Sequence, residues 1–317
     1  MPYKYNESHR DKIKKSRYRV TNWRHYNNAL RRRGDITIWF TSEAIAAWRP
    51  AKTGLRGRPQ EYSDLTMEAA GFIREIFHLP LQQTEGFMNS IARMMDADIS
   101  IPDYSCISKR SAGLSPQLLA KATQPGSLVI VDSTGLKVYG KDEWHQEKHT
   151  APARRTWRKL HLAVDENHQL VACELTTTEL GDSTAVPDLL AQVLAGFDTF
   201  IADGAYDGDP VYQAVTAKQQ NAAMVVPPDK TAVLSKAGDT QRDQHIRTIQ
   251  QRGRMPWQKQ VGYHLRNYAD AVQRFKRIFA NTLKAHALPQ QKAEARIGAS
   301  ALNRMTKLGM PISVKIS

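Results

Sequence analysis

Two aspartates stand where a carboxylate packs badly and does chemistry well. Asp132 closes the apolar run SLVIVDS (127–133) and Asp203 closes TFIADG (199–204), each at the C-terminal end of an expected buried strand. A charge that ends an apolar strand is costly unless something cationic meets it. In open sheets of this kind, ligands bind at those strand ends. Asp270 is the one acid in 261–284, a stretch expected to be helical. Three carboxylates on separate elements offer hard oxygen ligands, which select Mg²⁺, with Mn²⁺ as a substitute, over zinc. Two such ions could activate an attacking water or hydroxyl and stabilise a leaving 3′ oxygen in an in-line displacement. Asp207, in DGAYD, is a second candidate near Asp203 but reads rather as a helix cap, and Asp165 as a turn residue. Histidines 145, 149, 161 and 168 share no ligand spacing and are not read as a metal set.

The elements that must position these acids begin with SLVIVDS, a buried strand bounded by Gly126 and Gly135. TGLKVYG (134–140) is expected to pair beside it. TWRKLHLAVDE (156–166) alternates, with Trp157, Lys159, His161 and Ala163 on one face, and a turn at 166–168 joins it to QLVACELTT (169–177) as a hairpin. A helix through 188–194, the strand TFIADG, a helix after Asp209-Pro210 and the strand NAAMVVPP (221–228) complete the order. Three strands, a helix, a strand, a helix and a strand make an α/β fold of RNase H-like type, a mixed sheet flanked by helices. Residues 229–262 read as a loop with helical fragments. Residues 261–284 read as one long helix whose stripe of Tyr268, Val272, Phe275 and Phe279 faces the sheet.

Upstream lies a basic, mainly α-helical region expected to bind DNA. Residues 1–60 interleave cations with aromatics and include Arg31, Arg32 and Arg33 before Gly34. ITIWF (36–40) reads as a short strand, TSEAIAAW (41–48) as a helix, and AKTGLRGRP (51–59) as a linker or a backbone-gripping arm. Residues 61–115 read as three helices. Leu65, Ala69, Phe72, Ile73 and Ile76 mark the first, and Phe87, Ile91 and Met94 the second. The third ends in Lys109 and Arg110, as in a helix-turn-helix whose last helix enters a major groove. The expected domains are thus a basic segment 1–60, a helical DNA-binding region 61–115, a catalytic domain 116–300 and a tail 301–317.

A net charge of +14 and a pI near 9.8 point to a polyanionic partner. The charge is uneven: residues 1–60 hold 15 Lys/Arg against 4 Asp/Glu, and residues 241–317 hold 15 against 3. The acids therefore gather in the middle. No apolar run approaches the roughly 18 residues of a membrane span, and two cysteines give neither a disulfide framework nor a structural zinc site. A cytoplasmic protein is expected, which the resemblance described next makes a bacterial, nucleoid-associated one.

The segments VDSTGLKVYG, TWRKLHLAVD, IADGAYD and ALNRMTKLGMP resemble the bacterial insertion-sequence DDE transposases of the insertion-sequence-five group. NWRHYNNALRRRGDITIWF and PLQQTEGFMNSI resemble the N-terminal part of the same group. The resemblance implies an RNase H-like core, Mg²⁺-dependent strand cleavage and 3′-OH strand transfer. It also implies double-stranded DNA partners (terminal inverted repeats and target) and a homo-oligomer. Asp132 and Asp203 match the first two acids. The group's third-acid signature is Tyr, two residues, Arg, three residues, Glu, six residues, Lys. Tyr263, Arg266 and position 270 fall in register, but 270 is Asp, and Lys276 comes one residue early while Arg277 takes its place. A lost residue predicts either a helical bulge near 270 or an acid that cannot be seated together with the apolar stripe. Asp is also one methylene shorter than Glu, and a misplacement of ~1 Å can cost about 100-fold in rate. Tyr263, Arg266 and Lys276 or Arg277 are expected to grip phosphates, with Lys159 and Lys137 as further backbone contacts and Trp144 or Trp157 stacking a base. Two alternatives stand beside this reading: a nuclease of the same fold without strand transfer, and a catalytically impaired relic that only binds DNA.

Overall fold

The computed structural model of the chain describes residues 17–51, 54, 56–57, 59–118, 126–138, 156–236 and 238–316. Trp144, His145, His149 and the end of TGLKVYG lie outside them. The first described elements are the strand β1 (Arg17–Val20) and the helices α1 (Trp23–Arg32), α2 (Ser42–Ala46), α3 (Asp64–Ile76), α4 (Leu81–Met94) and α5 (Tyr104–Ser111). The side chains of Thr41, Ser63 and Asp103 accept backbone N–H bonds at the starts of α2, α3 and α5, which fixes where each helix begins.

The central sheet follows as β2 (Leu128–Val138), β3 (Trp157–Val164), β4 (Leu170–Thr177), β5 (Thr199–Ile201) and β6 (Ala223–Val225), with helices α6 (Val186–Gln192) and α7 (Asp209–Lys218) between. Then come α8 (Gln241–Arg252), α9 (Arg254–Gln260), a 3-10 stretch (Tyr263–Asp270), α10 (Ala271–Phe279), β7 (Thr282–Leu283), α11 (Leu288–Leu308) and β8 (Ser313–Ile316). The spatial order is β4-β3-β2-β5-β6, with β7 beside the far end of β2. β3 runs antiparallel to β2 and β4, while β5 and β6 run parallel to β2. A hairpin-linked triplet extended by two parallel strands through helical crossovers is the RNase H-like arrangement.

Period-two alternation gives the sheet two apolar faces. Val129, Val131, Ala163 and Phe200 face α6 and α7. Leu136, Leu160, Leu162 and Leu175 face α10 and α11, and the same core continues through Met67, Phe72, Ile73, Met88, Ile91 and Ile107 of α3, α4 and α5. The helical region 61–115 therefore shares its core with the sheet. Helices α10 and α11 approach closely at Gly298, where a Cβ would lie 2.8 Å from the Phe275 ring. Leu65 and Met94, expected on buried faces, are exposed.

Four expectations are corrected. ITIWF is a 3-10 turn at Ile36–Ile38, because Asp35 accepts the Thr37 N–H and starts a turn; the adjacent Trp39 and Phe40 are both buried. TGLKV does not pair beside the first strand but continues it. Gly135 makes room there for the Trp157 ring, which a Cβ would meet at 3.2 Å. Residues 229–262 hold two helices, and α8 starts from a reciprocal Thr240–Asp243 capping box. Its buried side chains are only Asp243 and Ile246, so apolar periodicity could not reveal it. Residues 261–284 are not one helix: a 3-10 stretch, Tyr263–Asp270, kinked inside at Ala269 (φ −73°, ψ 16°), gives way to α10 at Ala271.

Candidate active site

Asp132 and Asp203 meet because β2 and β5 are parallel and in register. Ile130 lies beside Ile201, and the same register carried two residues on sets the two aspartates side by side on one face. Between them sits Arg266. Its Nη2 donates to Asp132 Oδ1 at 3.0 Å and to Asp203 Oδ2 at 3.1 Å. The backbone helps at each acid: Ser133 N–H donates to Asp132, and Ala205 N–H to Asp203, which also caps the turn Gly204–Tyr206.

The electrostatics follow from this packing. Burial pushes the Asp132 carboxyl above its ordinary value, with Arg266 and the Ser133 N–H opposing. Burial alone would lower the Arg266 guanidinium, but Asp132, Tyr263 and Asp203 together hold it above its ordinary range. Arg266 Nε is buried without a partner. Burial also raises the half-buried Tyr263, whose ring lies 5.8 Å from that of Trp257. Oxygens from two strands thus converge on one cationic point, which is the donor chemistry a hard divalent ion requires.

Asp270 does not join them. Its Oδ1 lies 3.3 Å from His168 Nδ1, in the β3–β4 turn, and its side chain is 47% exposed. The reason is winding, together with the kink at Ala269 just before Asp270. On an α-helix, residues four apart share a face. A 3-10 helix has about three residues per turn, so residues three apart eclipse and the fourth swings about 120° away. Tyr263, Arg266 and Ala269 accordingly line up toward the sheet, and Asp270 is turned off. His168 also stacks edge-on against Tyr268 at 4.9 Å and so holds the stretch from its outer side. Among the described residues, no three acidic, His or Cys side chains gather as a metal set. No bulge forms near 270: the stretch is wound tighter than an α-helix, and the other expected outcome holds, with Val272, Phe275 and Phe279 seated and Asp270 left out of the site.

The expected DNA contacts divide. Lys109, Arg31, Arg32 and Arg277 are exposed and Lys276 is half-buried. Arg110 is engaged internally, donating to the Tyr62 carbonyl and pairing with Asp64 at 2.5 Å. Arg33 donates to the Gly309 carbonyl at 3.4 Å and lies over the Tyr26 ring. Lys159 is held at 2.9 Å by both Asp182 and the Leu180 carbonyl. Lys137 lies over the Trp157 ring.

A polar group behind Asp132 went unread in the sequence. Ser133, on the opposite face of β2, donates to Asp182 at 2.9 Å. His161 contacts Tyr206 at 3.3 Å and Thr176 at 3.0 Å, fully buried. Burial pushes His161 down, toward the neutral form. Burial alone would raise Asp182, but bonds from Lys159 and Ser133 more than offset it and hold it low. The available signal was the period-two position of Ser133 and His161 opposite the acid's face. Asp207, expected as a cap, instead binds Arg242 through both oxygens at 2.7 and 2.9 Å.

Comparison with known proteins meets this geometry from the other side. A solved piggyBac transposase synaptic complex with hairpin DNA has a TM-score of 0.34 and 10% identity, covering 91% of this chain and 76% of that one. Residues 31–141 match one transposase DDE domain family, and residues 123–296, more than half of the chain, match a second; the chain belongs to the DDE-domain transposases.

Proposed function

We propose that this transposase binds terminal inverted repeats, nicks DNA at the element ends and joins the freed 3′-OH to target DNA. Asp132 and Asp203 would hold Mg²⁺, or Mn²⁺ in its place. When bound, two such ions supply an activated attacking oxygen and a stabilised 3′ leaving oxygen. The chain's own residues prepare the rest. The β2–β5 register holds the acids side by side, and Arg266 keeps them neutralised until a cation or a DNA phosphate draws it away. Tyr263 supports Arg266 from the same row of the 3-10 stretch, and Arg277 and Lys276 offer charge to the phosphates beyond. Asp270 serves as third acid once residues 263–270 rewind as α-helix, which returns position 270 to the face of Arg266. The observation that carries the reading is the convergence of two strand-end carboxylates on one cation.

A second reading has one observation in its favour. Asp270 faces His168 rather than the acids, which suits a relic that binds element ends without cutting them.

The test is nicking and joining of DNA carrying the element's own terminal repeats, in Mg²⁺ and Mn²⁺. Asp132→Ala and Asp270→Glu are assayed beside the unaltered chain. The expected result is activity in the unaltered chain, none in Asp132→Ala, and a gain in Asp270→Glu. Activity in Asp270→Glu alone would establish the relic. Cutting by Asp132→Ala would overturn the acid assignment, and binding without cutting by all three would leave the DNA-binding relic.

A further inference from the structure

The strands at the two ends of the described chain form a ribbon outside the central sheet. β1 and β8 pair antiparallel, from Arg17 opposite Ile316 to Val20 opposite Ser313. The base of the ribbon is fixed. Thr21 N–H donates to the Ile312 carbonyl at 2.8 Å. The Asn22 amide donates to the Met310 carbonyl at 2.9 Å and accepts from Ile312 N–H at 2.8 Å. At Gly309 (φ 145°) a Cβ would strike His25 and Ala29, so the chain leaves α11 tight against α1.

Beyond that base every strand residue except half-buried Val20 is exposed, including Tyr18 at 64% and Val314 at 52%. Two strands alone in water are marginally stable, and apolar side chains on an uncovered ribbon call for a partner. Charge identifies it. Residues 17–34 and 307–316 hold eight Lys/Arg and no Asp or Glu. Arg17, Arg19 and Lys315 lie on the ribbon itself, and Arg24, Arg31 and Arg32 on α1 at its base are exposed. A second copy would bring the same cations against these; a polyanion would neutralise them. A two-stranded ribbon also fits the major groove, about 12 Å wide, where thymine methyls accept apolar contacts.

We infer that the β1–β8 ribbon is a DNA-binding arm, with Arg17, Arg19 and Lys315 on phosphates and Tyr18 and Val314 among its apolar contacts. It is separate from the acids on β2 and β5. The inference rests on the transposase reading for its partner, but not on the identity of the catalytic residues.

Each phosphate contact adds about 0.9 to the slope of log affinity against log salt. Fluorescence anisotropy of the full chain on a duplex of arbitrary sequence, across a salt series, measures that slope. The triple variant Arg17→Ala, Arg19→Ala, Lys315→Ala changes only exposed side chains and is expected to fold. Its slope should be shallower by about 2.7 if all three cations meet phosphates, and Tyr18→Ala should weaken binding with the slope unchanged. An unchanged slope in the triple variant, while the unaltered chain binds, overturns the arm. So does an unchanged slope accompanied by a loss of self-association in light scattering, which would assign the ribbon to a second copy. Absence of salt-dependent binding by the unaltered chain would bring down this inference and the proposed function together.

Discussion

Replacing Arg266 with Met removes the cation between the two acids while keeping most of the side chain's bulk. The guanidinium lies 3.0 and 3.1 Å from the carboxylates, and the three side chains are 31%, 20% and 32% exposed. Unit charges ~4 Å apart attract by about 4 kcal/mol at an effective dielectric near 20. Desolvation cancels much of that. Breaking a fully buried pair costs about 3–5 kcal/mol, and breaking an exposed one less than about 1. Intermediate exposure places this site near 2 kcal/mol. With 317 residues and about 2.1 cal/mol/K of unfolding entropy per residue, that lowers Tm by about 3 °C. The variant leaves two uncompensated carboxylates, so Mg²⁺ should rescue it. An ion held with a Kd of about 1 mM returns ~1.4 kcal/mol at 10 mM, or about 2 °C. The unaltered chain should gain less, because the ion must first displace Arg266. Thermal melts with EDTA and with Mg²⁺ read all four states. Equal melting of both proteins in EDTA would show that Arg266 neutralises nothing. Equal gains on adding Mg²⁺ would show that ion and arginine do not compete for one place.

Two further outcomes follow from the packing. Inserting Asn after Asp270, which would restore the spacing to Lys276, rotates α10 by about 100° against the stretch before it. That unseats Val272, Phe275 and Phe279 at a cost of roughly 5 kcal/mol, so the insertion should lower Tm sharply; an unchanged Tm would show that α10 slips freely. The second outcome concerns Glu294, whose carboxyl is pushed up to about 7 by burial first and by Glu75 next. An acid raised in the folded state contributes stability that is full below its unfolded value and lost as pH rises through the folded one. Urea midpoints should therefore fall from pH 5 to pH 8, and Glu75→Gln, which removes the neighbouring charge, should flatten that fall; equal slopes would contradict the coupling.

Much of the fold was legible because its signals are local. The strands ending in Asp132 and Asp203 are short apolar runs with a charge at the exit. The hairpin at 165–169 is marked by Asp165, which accepts N–H bonds from both Asn167 and Gln169. What stayed hidden depends on partners distant in sequence. TGLKV reads as a new strand because glycine usually breaks one, and only Trp157 on the neighbouring strand explains Gly135. Helix α8 carries almost no apolar pattern, since a capping box and polar contacts define it. Arg110 and Lys159 look free on paper, but Asp64, Tyr62, Asp182 and Leu180 take them.

The winding of residues 263–270 was the least legible feature, and it matters most to the chemistry. Periodicity over Tyr268, Val272, Phe275 and Phe279 is helical, and nothing in it separates three residues per turn from 3.6 within two turns. The difference decides which side chain meets the strand-end acids. With α winding, Arg266 and Asp270 share a face and the site holds one cation and three carboxylates. With 3-10 winding, Arg266 stands alone between two carboxylates and Asp270 is held by His168. The contact that holds the observed winding from its outer side is Asp270 with His168. Removing it with His168→Ala frees the stretch on its outer side while leaving Arg266, Asp132 and Asp203 intact.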